Sequence, residues 1–313
     1  MKRLPTISVL AIAILLNSLS ANPAAANSYL IPHSSYLSAA TDQFAAPAIG
    51  RVWQAADGAV GHGASHSWVW GPGAFLTTYE PASTPSGNHL VQYFDKGRLE
   101  VNDPHADPTA PWYVTSGLLV KEMVSGQLQT ADGYEQRAPA AIPVAGDDGP
   151  SYAAFASLTA PTSDRSGAPL SQQISNDGRV QNILRPPDDS ITAAHFDAAS
   201  GHNIASPFWQ LAAAGDPLFA PNWLYVLGHP ITEPYWASVS INGKPARVLV
   251  QLFERRVLTY NPANPAPFQV EFANLGRAYY QWRYRSPLAH EEKPPADYTS
   301  YDVAASIHAN RSV

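Results

Sequence analysis

Leu249–Pro262, LVQLFERRVLTYNP, has an earlier counterpart in Leu90–Pro104, LVQYFDKGRLEVNDP, 159 residues upstream. Leu-Val-Gln opens both stretches, Phe94 answers Phe253, and an acid followed by a base comes next, Asp95-Lys96 and Glu254-Arg255. Leu99 then matches Leu258, and Asn102 matches Asn261. Bulky side chains occupy odd and even positions alike in the LVQ-F run, which predicts a strand buried on both faces. Beyond the charged turn, Leu99 and Val101, or Leu258 and Tyr260, begin the returning strand of a hairpin. Asn102-Asp103-Pro104 and Asn261-Pro262 end it with turn chemistry.

Outward from the hairpins the parallel continues. Val52-Trp53-Gln54 with Asp57-Gly58 stands against Phe208-Trp209-Gln210 with Gly215. The second of these is the better helix: Ser206 can cap it, Pro207 suits its first position and Gly215 its stop. Trp68, Trp70 and Gly71 face Tyr225, Leu227 and Gly228, and each copy closes with Trp112-Tyr113-Val114 or Phe268-Gln269-Val270. The expected fold is mainly β with short helices. It comprises two α+β modules of roughly 75 residues, 50–123 and 206–285, separated by a β-rich insert, 124–205. Within the insert, Tyr152–Leu158, Pro169–Ser175, Arg179–Leu184 and Ile191–Asp197 read as strands, with a hairpin turn at Asn176-Asp177-Gly178. The insert is either a β unit of its own or an excursion of one continuous sheet.

The ends have a different character. Lys2 and Arg3, the apolar run Ile7–Leu16 and the small residues Ala24-Ala25-Ala26 have the pattern of a secretory signal over residues 1–26. That run is shorter than the roughly 20 residues a membrane-spanning helix needs; retention as an uncleaved anchor is the alternative. Residues 27–49 read as linker, and 286–313, with Pro294-Pro295 and no apolar period, as a flexible tail. With 14% charged residues, 29 Pro, 8 Trp and 15 Tyr, the chain has the composition of a loop-rich β protein. A net charge of −6 and no basic cluster argue against a nucleic-acid partner. The chain has no cysteine, which excludes disulfides, thiolate metal sites and cysteine nucleophiles.

LGHPITEPYW (Leu227–Trp236), the LVQLFERRVLTYNP strand and NLGRAYYQWRY (Asn274–Tyr284) together resemble a repeat of secreted proteins from green non-sulfur bacteria. They are more distantly similar to the LGFP repeats of bacterial cell-envelope proteins. The first copy departs from the pattern: Gly71-Pro72 has no intervening residue, Asp95-Lys96 replaces Glu-Arg, and Val101 replaces the tyrosine. The resemblance implies export and an envelope setting. It implies no activity, so no catalytic residue carries over.

No Gly-x-Ser-x-Gly elbow, HExxH, phosphate loop or dinucleotide fingerprint occurs, and no cofactor is expected. Asp95 and Glu254, at equivalent positions, are the candidate acid and base of a glycosidase should the modules bring them face to face; turn-edge ion pairs explain them equally well. His195, Asp197 and His202 offer two imidazoles and a carboxylate to a metal, against ordinary structural roles. Trp68, Trp70, Trp112, Trp223 and Trp236 are the candidate sugar platforms, against core packing.

These features lead to a secreted, non-catalytic envelope or glycan-binding protein whose partner is a cell-wall or extracellular polysaccharide. An extracellular hydrolase of such polymers is the alternative, and a purely structural surface protein the third reading. Export predicts a mature chain starting at or near Asn27, which N-terminal sequencing of secreted material checks.

Overall fold

Each LVQ-F run forms the second strand of a four-stranded antiparallel meander with helices before and after it. The computed structural model describes residues 43–285 apart from 61, 63–65, 85–86, 132 and 214–221. The signal segment, residues 27–42 of the linker, Gly215 and the tail 286–313 therefore lie outside the described residues. The first half runs α1 (Pro47–Asp57), β1 (Ala74–Pro81), β2 (Asn88–Phe94), β3 (Gly97–Val101), β4 (Val114–Thr115) and α2 (Leu119–Ser125). The insert carries β5 (Gln127–Thr130), β6 (Gly133–Gln136), β7 (Gln172–Ile174), β8 (Val180–Asn182), β9 (Ala193–Asp197) and β10 (His202–Ala205). The second half runs α3 (Ser206–Ala213), α4 (Trp223–Leu227), β11 (Tyr235–Ile241), β12 (Lys244–Leu252), β13 (Val257–Tyr260), β14 (Val270–Phe272) and α5 (Leu275–Arg285).

The meanders have strand orders β1-β2-β3-β4 and β11-β12-β13-β14, and their registers match: Leu90 pairs with Val101 as Leu249 pairs with Tyr260. The fold is mainly β with a few short helices, as expected. Of the insert's strands, β7 pairs parallel to β11 and the β7–β8 hairpin widens the second sheet to six strands, while β5–β6 and β9–β10 form two-stranded sheets of their own. Tyr152–Phe155 is a single 3-10 turn where a strand was expected. Its two aromatics, three residues apart, fall on one side of such a turn and are both buried. Among the described residues no helix is long and apolar enough to cross a membrane.

Strand period 2 divides the LVQ-F residues between two apolar clusters. Leu90, Phe94, Leu249 and Phe253 join α1 and α3 in one. Val91, Tyr93, Val250 and Leu252 join α2 and α5 in the other. On the α1/α3 face, between leucine and phenylalanine, sits the glutamine. Gln251, fully buried, accepts from Ala205 N–H at 3.2 Å and donates to Asn203 C=O at 2.7 Å and Thr232 C=O at 3.1 Å. Gln92 likewise accepts from Ala45 N–H at 3.2 Å and donates to Gln43 C=O at 2.8 Å. Each amide thus holds the extended segment that leads into its half's first helix. Residues 43–49, read as linker, are consequently part of the fold, and Ile49 is fully buried. The same bonds align Ala45 with Ala205 and Pro47 with Pro207, so the expected match of Trp53 with Trp209 is about one helical turn out of register.

The halves dock reciprocally through their hairpin turns. Val120 and Lys121 N–H of α2 donate to Glu254 C=O of the second half, and Arg277 N–H of α5 donates to Asp95 C=O of the first. Gly276 is required here, because a Cβ would collide with Phe94 C=O. Lys96 N–H bonds Trp70 C=O at 2.9 Å, and Arg255 N–H bonds Leu227 C=O at the same distance. Arg256 lies over its own counterpart, Gly97, and its guanidinium stacks 4.0 Å from the Trp70 ring. Burial pushes that guanidinium down to about 9, a value at which it is still charged at neutral pH.

Gln251→Met should destabilise the protein by at least about 2 kcal/mol, since it leaves buried Ala205 N–H and two carbonyls unpaired. Urea titration checks this; a loss below about 0.5 kcal/mol would contradict the anchoring role.

Candidate functional site

Trp112 is the one tryptophan candidate held out to solvent, at 47% exposure. It sits on the loop between β3 and β4, whose backbone is tied by its own acids: Asp103 accepts from His105 N–H, and Asp107 from Thr109 N–H and Oγ1. The indole meets Tyr225 edge-on at 5.1 Å between ring centres. Tyr225 is fixed in turn by donating its hydroxyl to Val114 C=O at 2.7 Å, and burial pushes its phenol up to about 12. Pro111 and Tyr113, on either side of Trp112, line a groove of about 390 Å³ bounded by Ala48, Arg51, Val52 and Ala55 of α1 and by Tyr225 and Val226 of α4. Arg51 reaches across it to Pro108 C=O at 2.8 Å. The walls are apolar and aromatic with a few donors at the rim, a chemistry suited to an uncharged ligand with one flat C–H face.

The other tryptophan candidates divide. Trp70 and Trp236 are buried, at 1% and 0%, so neither is an open platform, although Trp70 lies in the wall of that groove. Trp70 lies under Arg256, and Trp236 donates to Leu170 C=O at 2.8 Å. Their apolar periodicity in the repeat is core periodicity. Trp68 is half-buried beside Trp53, and Trp223 is half-buried, edge-on to Trp209 and His229.

The three candidate metal ligands each engage another partner. His195 stacks flat on Trp209 at 3.8 Å, Asp197 binds His229, and His202 lies 3.4 Å from Glu233. No group of three or more potential ligands occurs among the described residues. A cavity of about 440 Å³ does form there, where Lys121, Ser200, His202, His229 and Glu254 share the walls with Val124, Pro230 and Ile231. His229 Nδ1 lies 2.9 Å from Asp197 Oδ2, the oxygen that also accepts from Ser200 N–H at 3.1 Å. Glu254 faces Lys121 at 3.5 Å and accepts from His229 N–H, whereas Asp95 is held by Arg277 at 2.7 Å and does not line this cavity. The two acids therefore serve separate turns, one at each end of the reciprocal docking. Asp197 and His229 meet from β9 and the turn after α4, a pairing no local spacing announces.

No family model, curated protein or solved structure matches this chain.

Glu233 anchors the insert to the second half. Burial alone would raise its carboxyl, but bonds from His202, Thr162, Asn203 N–H and Arg165 outweigh that and hold it at about 2. A depressed carboxyl stabilises the fold above its unfolded value near 4.5, and that contribution disappears as pH falls toward 2. Thermal melts should therefore fall less steeply from pH 4.5 to 2.5 in Glu233→Gln than in wild type; equal slopes would contradict the assignment.

Proposed function

We propose that the chain is a secreted, non-catalytic glycan-binding protein of the cell envelope, with the Trp112 groove as its contact to a neutral polysaccharide. The supporting observation is Trp112 itself: a large indole at 47% exposure, buttressed by Tyr225 on a loop with internal hydrogen bonds, beside an apolar groove. A sugar with equatorial hydroxyls has a flat C–H face that stacks on such a ring, while its hydroxyls meet rim donors such as Arg51. The signal-like N-terminus and the resemblance to secreted repeats support export.

One observation favours a second reading as a hydrolase. With Nδ1 of His229 facing Asp197 at 2.9 Å, its Nε2 is left to meet a water in the cavity that His229 lines. Affinity electrophoresis through soluble neutral polysaccharides, with reducing-end assays alongside, separates the readings. Trp112→Ala should weaken retardation at least tenfold, about 1.4 kcal/mol, with an unchanged melting temperature, and no reducing ends should appear. Retardation that survives Trp112→Ala would remove the groove from the proposal. Release of ends that is lost in His229→Ala would establish the hydrolase instead.

A further inference from the structure

The Trp112 groove has a twin. In the second half, Phe268 occupies the position of Trp112: Ala110-Pro111-Trp112 and Ala266-Pro267-Phe268 lead alike into β4 and β14. Phe268 is 40% exposed, and with Trp112 it is one of only four large apolar side chains exposed among the described residues. Pro267 and Gln269, its neighbours, line a cavity of about 410 Å³ against Pro207 and Leu211 of α3. Part of the remaining wall relates the two cavities, although Ser190 and Ile191 of the insert line only the second. The first groove borrows Tyr225 and Val226 from the second half, and the second borrows His66 and Ser67, from the matching segment before Trp70, of the first. Each groove is thus built by one half's helix and loop together with the other half's segment ahead of its glycine.

From this equivalence we infer that the protein carries two glycan sites, one at Trp112 and one at Phe268, and bridges two polysaccharide chains. This rests on the glycan reading above and extends it. The docking of the halves is reciprocal, with α2 on the second hairpin and α5 on the first, and Arg256 lies on its own counterpart Gly97. Closed reciprocity of this kind is the mark of a twofold relation. A twofold reverses the sense of any polymer lying across its axis, and a polysaccharide chain has a direction. Two chains running antiparallel across that axis then satisfy both sites. The sites are similar without being identical. Trp112 and Tyr113 give the first a larger aromatic surface than Phe268 and Gln269 give the second, so the first binds more tightly.

Calorimetry with cellotriose and chitotriose, each too short to link two chains, measures the number of sites; turbidity with hydroxyethylcellulose and glycol chitin measures bridging. Wild type should bind two trisaccharides per chain and cloud the polymer solution. Trp112→Ala and Phe268→Ala should each bind one, with the weaker affinity left in Trp112→Ala, and neither should cloud the polymer. Circular dichroism should find both variants folded, since both side chains are exposed. One trisaccharide per wild-type chain, unaffected by Phe268→Ala, would overturn the second site while leaving the glycan reading intact. Absence of binding to every probe by folded wild type would overturn both.

Discussion

A glutamine amide placed in an apolar interior has to find partners, and in this protein that requirement fixes where each half begins. Gln92 and Gln251 lie between a leucine and a phenylalanine on the face covered by α1 and α3. Their nearest partners are the peptide groups of the segments entering those helices. An unmet buried amide costs more than the bond returns when made, so the entering segment cannot slide by a residue without forfeiting the pair. A leucine at the same place would be as well buried and would leave the helix entry unspecified. The polar residue supplies register, and the apolar ones on either side supply the driving force.

Beneath this shared device the halves differ in chemistry. On the opposite face of the first sheet, Arg98 is paired with Glu80 and Glu100, all buried, and Tyr93 donates to Glu80. The second half holds Val257 and Thr259 where Arg98 and Glu100 stand in the first. The ionic cluster is completed across the interface by α5: Tyr284 donates to Glu80, Arg283 lies 3.4 Å from it, and Tyr279 donates to Glu122. A buried ion cluster of this kind adds little net stability, but it penalises any arrangement that leaves one member unpaired. It therefore specifies that α5 docks on the first sheet. The YYQWRY ending of the second half is legible as the other side of that cluster, and the shorter α2 has no such partner to reach.

How much of this the sequence disclosed follows from which interactions are local. The two LVQ-F hairpins are legible because period 2 and turn chemistry act over a few residues, whereas Tyr152–Leu158, expected as a strand, holds a 3-10 turn. The buried fate of Trp70 and Trp236 is not legible, because burial depends on what crosses over the strand: Arg256 over one, the approach to β7 over the other. Helix alignment on Trp53 and Trp209 followed residue identity, while the fold aligns the backbone that the glutamines grip. The second groove was partly in view. The Phe268 segment matches that of Trp112 in the sequence, but tryptophan alone marks a sugar platform there, and the phenylalanine that shares its position does not.

Exposing a large aromatic ring forgoes the free energy of burying it, and a ligand that covers the ring recovers that free energy. Both exposed rings sit on loops that satisfy their backbones internally. Asp103 and Asp107 do this before Trp112; before Phe268, Asn261 accepts from Ala263 N–H and Asn264 donates to Phe268 C=O. Loops stiffened in this way lose little conformational entropy when a ligand arrives, which is where weak, flat contacts to a polymer gain most. The Asn-Asp-Pro and Asn-Pro turns that close the hairpins thus have a second consequence. They open the loops that carry the two rings, and the neighbours of each ring line a groove, so the residues that end the fold's central strands also begin its candidate binding surfaces.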